Sequence, residues 1–561
     1  TPDDSSIIIY AKGKIRNINV NDASSAIIPF SVNAKHKIAN ALKFENKAFE
    51  ETFTSKAIRD AVTSPDGKQL VFHAAGYLYS KDLPNGKPKR LTKNTDFEFE
   101  PSFSKDGNSI AYVTWNDSDK GAIQILNVKN GKSVKVTSTK GIYRTPQFSP
   151  NGSTIVFEKE RGNSDQGFDF TKETGLYTIA SSGGKMKLIS ESGSFPRFSA
   201  NGDRIFFQTG GYLFGSLKKQ LKSVDLTGND EKTHFTGDHA NFFLPSPDNK
   251  WVAFMELFKV YIAPMNLNGQ SLDLNAKTKA IPVAQVAKDA GVNLHWSSDS
   301  KKIHWTLGEE YFTSELQNRF GFIANKADSL LAMDTTGIKI NLQLEADKPK
   351  GQLAFVGATI ITMEGDKVIN DGVILVTDNT ITAVGTKDQV SIPASAKTID
   401  VKGKTIMPGI IDVHAHVNGF RYGLKPQQNW AFLANLAYGV TTAHDPSANT
   451  ESIFQSAEMI KSGKIVGPRV FSTGVILYGA EGDFKAEINS LDDARSAIKR
   501  TKAFGAFSVK SYNQPRREQR QQVIAAAREQ NILVVPEGGS TYFHNMSMIL
   551  DGHTGVEHNV P

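Results

Sequence analysis

The sequence predicts a multidomain chain, with a β-propeller, a partial β-sandwich and an incomplete (β/α) barrel in that order. Three observations predict it. A strand–turn–strand pattern recurs through residues 1–310, short strands crowd 340–405, and strands alternate with helices after 408. The domains expected are 1–320, 321–405 and 406–561, with seven blades in the first.

The blades come first in the chain. The stretches TSPDGKQLVF (63–72), FSKDGNSIAY (103–112), FSPNGSTIVF (148–157), FSANGDRIFF (198–207), PSPDNKWVAF (245–254) and WSSDSKKIHW (296–305) are copies of one unit, and TPDDSSIIIY (1–10) fits the same pattern. The aligned serines 64, 104, 149, 199, 246 and 297 lie 40 to 51 residues apart. Asp-Gly and Asn-Gly pairs suit hairpin turns that need positive φ. A period of this length with about four short strands per unit is that of a propeller blade, whose sheet faces are buried only by stacking in a ring. The longer first step contains an insertion, KIANALKFENKAFEE. The copy at residue 1 has no strand before it, so either the chain starts upstream or the ring closes with a later strand. The SPDGK…F pattern resembles the blades of Tol-associated periplasmic propeller proteins. That resemblance implies the fold and a periplasmic or secreted location, with the propeller as a scaffold or a screen for substrate entry.

The second region contains INLQLEA, GQLAFVGATIITME, GVILVTDNTITAVG and AKTIDVKGKTIMPG, strands separated by small turns. They read as a small sandwich leading into the third region. There, PGIIDVHAH, VTTAHDP, PRVFSTGVILYG, AFSVKSY, ILVVPEGG and HTGVEH alternate with helical stretches. In LDDARSAIKRTKAF, residues Leu491, Ala494, Ala497 and Ile498 share one helical face; in RREQRQQVIAAAREQ, Val523, Ile524 and Ala527 do. Alternating strands and helices mean a parallel α/β unit. Six strands are countable where a closed barrel has eight.

Composition narrows the function. Hydrophobic residues are 39% and charged residues 22%, a globular balance. A net charge of +7 with no basic block gives no reason to expect nucleic acid. No stretch reaches the roughly 20 apolar residues of a membrane span. The absence of Cys removes thiol catalysis and thiolate ligands, and fits an oxidising compartment.

The chemistry is expected at the strand ends, where barrel enzymes carry it. His414 and His416 alternate with Ala415, so both imidazoles project to one side. Lys510 ends the face Ala506–Ser508–Lys510. Glu537 ends the face of Leu533 and Val535, and His558 that of Thr554 and Val556. Nitrogen and oxygen donors converging from several strands suit a divalent metal. His444, beside Asp445, and His544 are candidates for substrate contact, and His553 reads as structural, paired near Asp551. Six of the twelve histidines fall in this half near strand ends or loops.

PGIIDVHAH resembles the first-strand signature of the amidohydrolase superfamily. GATIITMEGD…VINDGVILVTDNTITAVG…TIDVKGKTIMPG is similar to the part-sandwich that opens its imidazolonepropionase-, prolidase- and dihydroorotase-like members. The resemblance spans about 350–561. It implies that His414 and His416 bind one metal, that Lys510 is carboxylated and bridges two, and that His558 binds the second. It implies zinc first, with manganese or nickel as substitutes, and hydrolysis of amides, cyclic amides or short peptides by metal-activated water. Two departures stand out: Glu537 occupies the place of a histidine, and the strand-8 aspartate has no counterpart before residue 561. A longer chain, a homo-oligomer or a second chain completing the barrel is therefore expected. The rival expectation is an inactive, propeller-based binding protein with a degenerate barrel.

Overall fold

The structure is a computed structural model. It describes residues 1–561 except 47–48, 163–171, 212–217, 325–330, 418–422, 479–485, 515, 540 and 559–561. The first seven turn copies fall on seven sheets. Residues 6–28 make a three-stranded sheet, and six further sheets of four or five strands run from Arg59 to Lys339. Their innermost strands are Arg59–Thr63, Phe97–Phe103, Ile142–Phe148, Ser194–Phe198, Ala240–Pro245 and Val292–Trp296. Each is antiparallel to the next strand across the expected turn, and each is interrupted by a bulge.

The bulges join the sheets. Asp60, Glu100, Thr145, Phe195 and Asn293 occupy equivalent places with φ between 48° and 56°. A left-handed non-glycine residue costs about 1–2 kcal/mol, and hydrogen bonds between neighbouring sheets offset part of that cost. Asp60 N donates to Asn293 Oδ1 (2.7 Å), Glu100 N to Asp60 Oδ2 (3.3 Å) and Thr145 N to Glu100 Oε2 (2.6 Å). Asn293 Nδ2 also donates to Ile58 O at 3.0 Å, and Ser298 Oγ to Pro65 O at 2.8 Å. The ring thus closes between the sheets of 59–90 and 292–339, and the sheet of 6–28 stands outside that closure. Seven copies of the turn therefore do not mean seven equal members of the ring. The outlying sheet exposes Ile7, Ile8 and Tyr10.

The strands expected as a partial sandwich form one five-stranded sheet from Gln352–Ile361, Val368–Thr377, Thr380–Thr386, Lys397–Asp400 and Thr405–Ile406. Beyond it, the helices Trp430–Ala437, Thr450–Lys461, Leu491–Ala503, Arg517–Gln530 and Tyr542–Asp551 alternate with short parallel strands. Ala494, Ala497, Ile498, Val523, Ile524 and Ala527 are buried in a common core, as their spacing requires.

The expectation of a TIM-type barrel is corrected here. The parallel strands divide into a sheet of three (Ile410–Asp412, Val440–Asp445, Arg469–Ser472) and a sheet of two (Ser508–Ser511, Leu533–Pro536), and no closed or curled sheet is present among the described residues. Single-residue bridges at Leu477 and Glu557 take the place of continuous ladders. A barrel requires every strand to pair on both sides with a constant stagger, and single bridges cannot transmit one.

The insertion in the first repeat step crosses to the α/β region. Ala39 N donates to Leu550 O (3.0 Å) and Leu42 N to Gly552 O (3.1 Å), with Leu42 buried in the helical core. Thr52–Thr54 then pairs antiparallel with Gln343–Glu345. The propeller itself meets helix Thr450–Lys461. Glu458 accepts hydrogen bonds from Ser55 Oγ (2.6 Å), Lys56 N (2.7 Å) and Ala57 N (3.1 Å), and buried Arg59 donates to buried Gln455. No described helix is long and apolar enough to cross a membrane.

Candidate metal centre

Three segments build the site. Strand Ile410–Asp412 ends two residues before His414, and the turn that follows is fixed from the neighbouring strand: Ala415 N donates to His444 O (2.9 Å) and Val417 N to Asp445 Oδ2 (3.2 Å). Strand Ser508–Ser511 pairs in parallel with Leu533–Pro536, so Lys510 lies opposite Val535 and Glu537 follows just past the strand end. The segment 554–557 runs beside that strand, with Thr554 N donating to Val534 O (3.1 Å) and Gly538 N to Glu557 O (3.0 Å).

These segments bring the expected residues together. Lys510, only 2% exposed, places Nζ 2.6 Å from Glu537 Oε2 and also pairs with Glu557. His558 Nε2 lies 2.8 Å from Glu537 Oε1, and His414 Nδ1 lies 3.1 Å from Glu557 Oε1. The ring of His414 is 4.6 Å from that of His558 and 5.2 Å from that of His416, centroid to centroid. Donor atoms of His414, Glu557 and His558 all lie within 4.8 Å of one another.

Electrostatics favour a cation here. One ammonium faces two carboxylates, and desolvation holds the His414 imidazole below its ordinary pKa, against the pull of Glu557. A net negative pocket with a neutral imidazole is ready to accept a metal, which requires deprotonated ligands. His416 is pushed the other way by its hydrogen bond to Asp445, whose Oδ1 lies 3.6 Å from His416 Nδ1. The residues therefore fit a divalent ion of the kind that takes imidazole and carboxylate.

Glu557 is the residue that sequence reasoning missed. Alternation along TGVEH assigned only His558 to the site. The segment is not a strand, however, and His558 has φ 63°, which breaks the alternation and lets adjacent residues both reach inward. An acid immediately before the histidine was the available signal.

The remaining candidates sit apart from the cluster. His444 donates to or accepts from Ser508 Oγ at 2.8 Å, so it packs under the strand of Lys510; its pKa is lowered by burial. His544, on helix Tyr542–Asp551, is half-buried near Gly539, and its Nε2 has no hydrogen-bond partner among the described residues. His553 is buried and bonds Met548 O at 3.1 Å, while Asp551 is taken by Arg517.

Residues 55–228 match the family model described as the TolB beta propeller domain, so the N-terminal part carries a TolB-like β-propeller. The chain is 35% identical over 135 residues to the Tol-Pal system protein TolB of Francisella tularensis subsp. mediasiatica, covering 23% of this chain and 29% of that protein. It is 31% identical over 130 residues to a dihydroorotase of Syntrophotalea carbinolica, covering 22% and 29% respectively. The chain thus spans less than a third of the length of these curated relatives. A solved putative prolidase from Bifidobacterium longum is similar over 37% of this chain and 54% of its own, at 23% identity and a TM-score of 0.32.

Proposed function

We propose that the protein is a metal-dependent hydrolase of carbon–nitrogen bonds in amides, cyclic amides or short peptides. The observation that carries this reading is the convergence of His414, Glu557 and His558 around a buried Lys510. The stretch of likeness to a dihydroorotase supports the same class.

His414, Glu557 and His558 would hold a divalent ion, zinc in the first instance. Such an ion supplies a water acidified to near neutrality and a Lewis acid for the carbonyl oxygen. The chain's own groups do the rest. Lys510 draws Glu537 and Glu557 together beside the imidazoles. His416 is oriented by Asp445, and Glu537 is positioned by His558 and Lys510 to accept a proton within hydrogen-bonding reach.

A second reading has two ions with Lys510 carboxylated between them. The observation favouring it is that His416 and Glu537 lie next to His414 and His558, where they would supply further ligands. The TolB-like propeller supports a periplasmic or exported location, with the ring screening small substrates.

The test is hydrolysis of a panel of N-acyl amino acids, dipeptides and cyclic amides by the zinc-loaded full chain, with His558→Ala as control. Turnover lost on chelation and in the variant is expected. A full chain that binds zinc but hydrolyses nothing would favour the binding-protein alternative.

A further inference from the structure

One turn of the propeller takes hold of the α/β region close to the histidine pair. Residues 117–119 join the antiparallel strands Ser109–Asn116 and Lys120–Asn127. Asp117 Oδ1 accepts a hydrogen bond from Gln427 N (2.9 Å) and Oδ2 one from Gln428 N (2.8 Å), while Asp117 N donates to Gln427 Oε1 (3.0 Å). The carboxylate is itself held in place. The indole Nε1 of fully buried Trp115 donates to Oδ1 (2.7 Å), and Lys120 Nζ donates to Asp117 O (2.6 Å). A second contact from the propeller falls nearby, where Arg59 Nη1 donates to Gly423 O (3.4 Å).

The clamped residues lie between the two elements that set the histidine pair. His414 and His416 come before them. After them, Asn429 caps helix Trp430–Ala437, which leads into strand Val440–Asp445. That strand bonds back to the pair: Ala415 N donates to His444 O (2.9 Å), Val417 N donates to Asp445 Oδ2 (3.2 Å), and Asp445 Oδ1 lies 3.6 Å from His416 Nδ1. Ala415 and Val417, which alternate with the histidines, are buried in one hydrophobic core with Trp115 and Ile142 of the propeller and with Leu424 and Phe432 on either side of the clamp. The residues that alternate with the imidazoles therefore rest on a core that the propeller helps to fill. Groups that orient metal ligands without touching the metal typically change its affinity by about 10- to 100-fold when removed.

We propose that the propeller is part of the metal centre's support, with Asp117 as a positioning residue that fixes the segment from which His414 and His416 project. The proposal rests on the metal reading of the site given above, and not on hydrolysis. Asp117 acts through the backbone of 427–428 and touches no metal donor. Glu458 offers the contrast: it joins the same two regions from helix Thr450–Lys461, beyond the strand that bonds the pair.

The test measures zinc affinity by chelator competition, and the visible spectrum of the cobalt-loaded protein, in the full chain and in Asp117→Ala, Asp117→Asn and Glu458→Ala, with circular dichroism as the check on folding. Asp117→Ala is expected to weaken zinc binding by about tenfold or more and to alter the cobalt spectrum. Asp117→Asn, which keeps one acceptor oxygen, is expected to fall between that variant and the wild type. Glu458→Ala is expected to leave both readouts unchanged. Wild-type affinity and spectrum in Asp117→Ala would overturn the proposal. Equal losses in Asp117→Ala and Glu458→Ala would also overturn it, because the effect would then be a general loosening of the two regions. If Asp117→Ala does not fold, Asp117→Asn decides by the same criteria. A wild-type chain that binds no zinc would overturn the metal reading and the proposal together, a result distinct from wild-type binding that Asp117→Ala leaves intact.

Discussion

At the residue scale, Glu557 and Lys510 are the pair on which the candidate centre turns. Glu557 pairs with Lys510 and lies 3.1 Å from His414, so on the proposed reading its carboxylate is both counter-ion and metal donor. Glu557→Gln should keep the shape and lose the charge. Zinc content measured by elemental analysis is expected to fall by at least tenfold at limiting zinc, with the fold retained by circular dichroism. Changing His414 and His416 together to Ala should remove at least one bound ion, and unchanged stoichiometry would make the pair purely structural. Lys510→Ala separates the two readings of the centre. If Lys510 acts as an ammonium that gathers the glutamates, the variant leaves two like charges facing each other unpaired, and one zinc should still bind. If it is carboxylated, the second ion should be lost and acetate should restore part of the activity. Mass spectrometry and crystallography of the zinc-loaded protein, looking for density beyond Nζ, decide between them.

At the element scale, the closing contact of the propeller carries a pH dependence. Thr63 Oγ1 bonds His295 Nε2 (2.8 Å) and Tyr311 OH (2.9 Å), and Tyr311 OH bonds His304 Nδ1 (2.7 Å), joining the first and last sheets of the ring. Burial lowers the pKa of His295 to about 4 and that of His304 well below its ordinary value. In the unfolded chain both titrate near 6.5, so the unfolded state binds more protons between pH 6.5 and 4. Stability is therefore complete above pH 6.5 and is lost as pH falls from there toward 4. Thermal melts of the full chain are expected to lose several degrees across that window, and His295→Gln should flatten the profile. The elements themselves were largely readable in the sequence. The turns at 66–67, 106–107, 151–152 and 201–202 have glycines with φ near 74°, as Asp-Gly and Asn-Gly predict. Helices Leu491–Ala503 and Arg517–Gln530 bury the expected faces. The stretch TGVEH was misread because a left-handed residue cancels strand alternation, and nothing in five residues announces it.

At the scale of the whole molecule, helix Thr450–Lys461 couples the propeller to the α/β region. Glu458 satisfies two backbone amides and a hydroxyl from residues 55–57. Glu458→Ala leaves the hydroxyl of buried Ser55 and the amide of buried Ala57 without partners, at a cost of about 3 kcal/mol. The single calorimetric transition expected for the wild type should split in the variant, with the propeller and α/β transitions separating; one unsplit transition at the same Tm would mean that this contact is not what couples them.

The sequence by itself determined the repeat, the helical faces, and the positions of His414, His416, Lys510, Glu537 and His558, because turn chemistry and side-chain periodicity are local and leave their mark within a few residues. Only the tertiary structure decided that the ring closes between 58–65 and 292–298, and that the insertion near residue 40 packs on the helices after 517. It also decided that the parallel strands form two separate sheets, and that Glu557 joins the centre. Each of these depends on partners up to some 500 residues apart in the chain. Which of two distant segments meet is set by the summed packing of the intervening elements, and no local spacing encodes that sum.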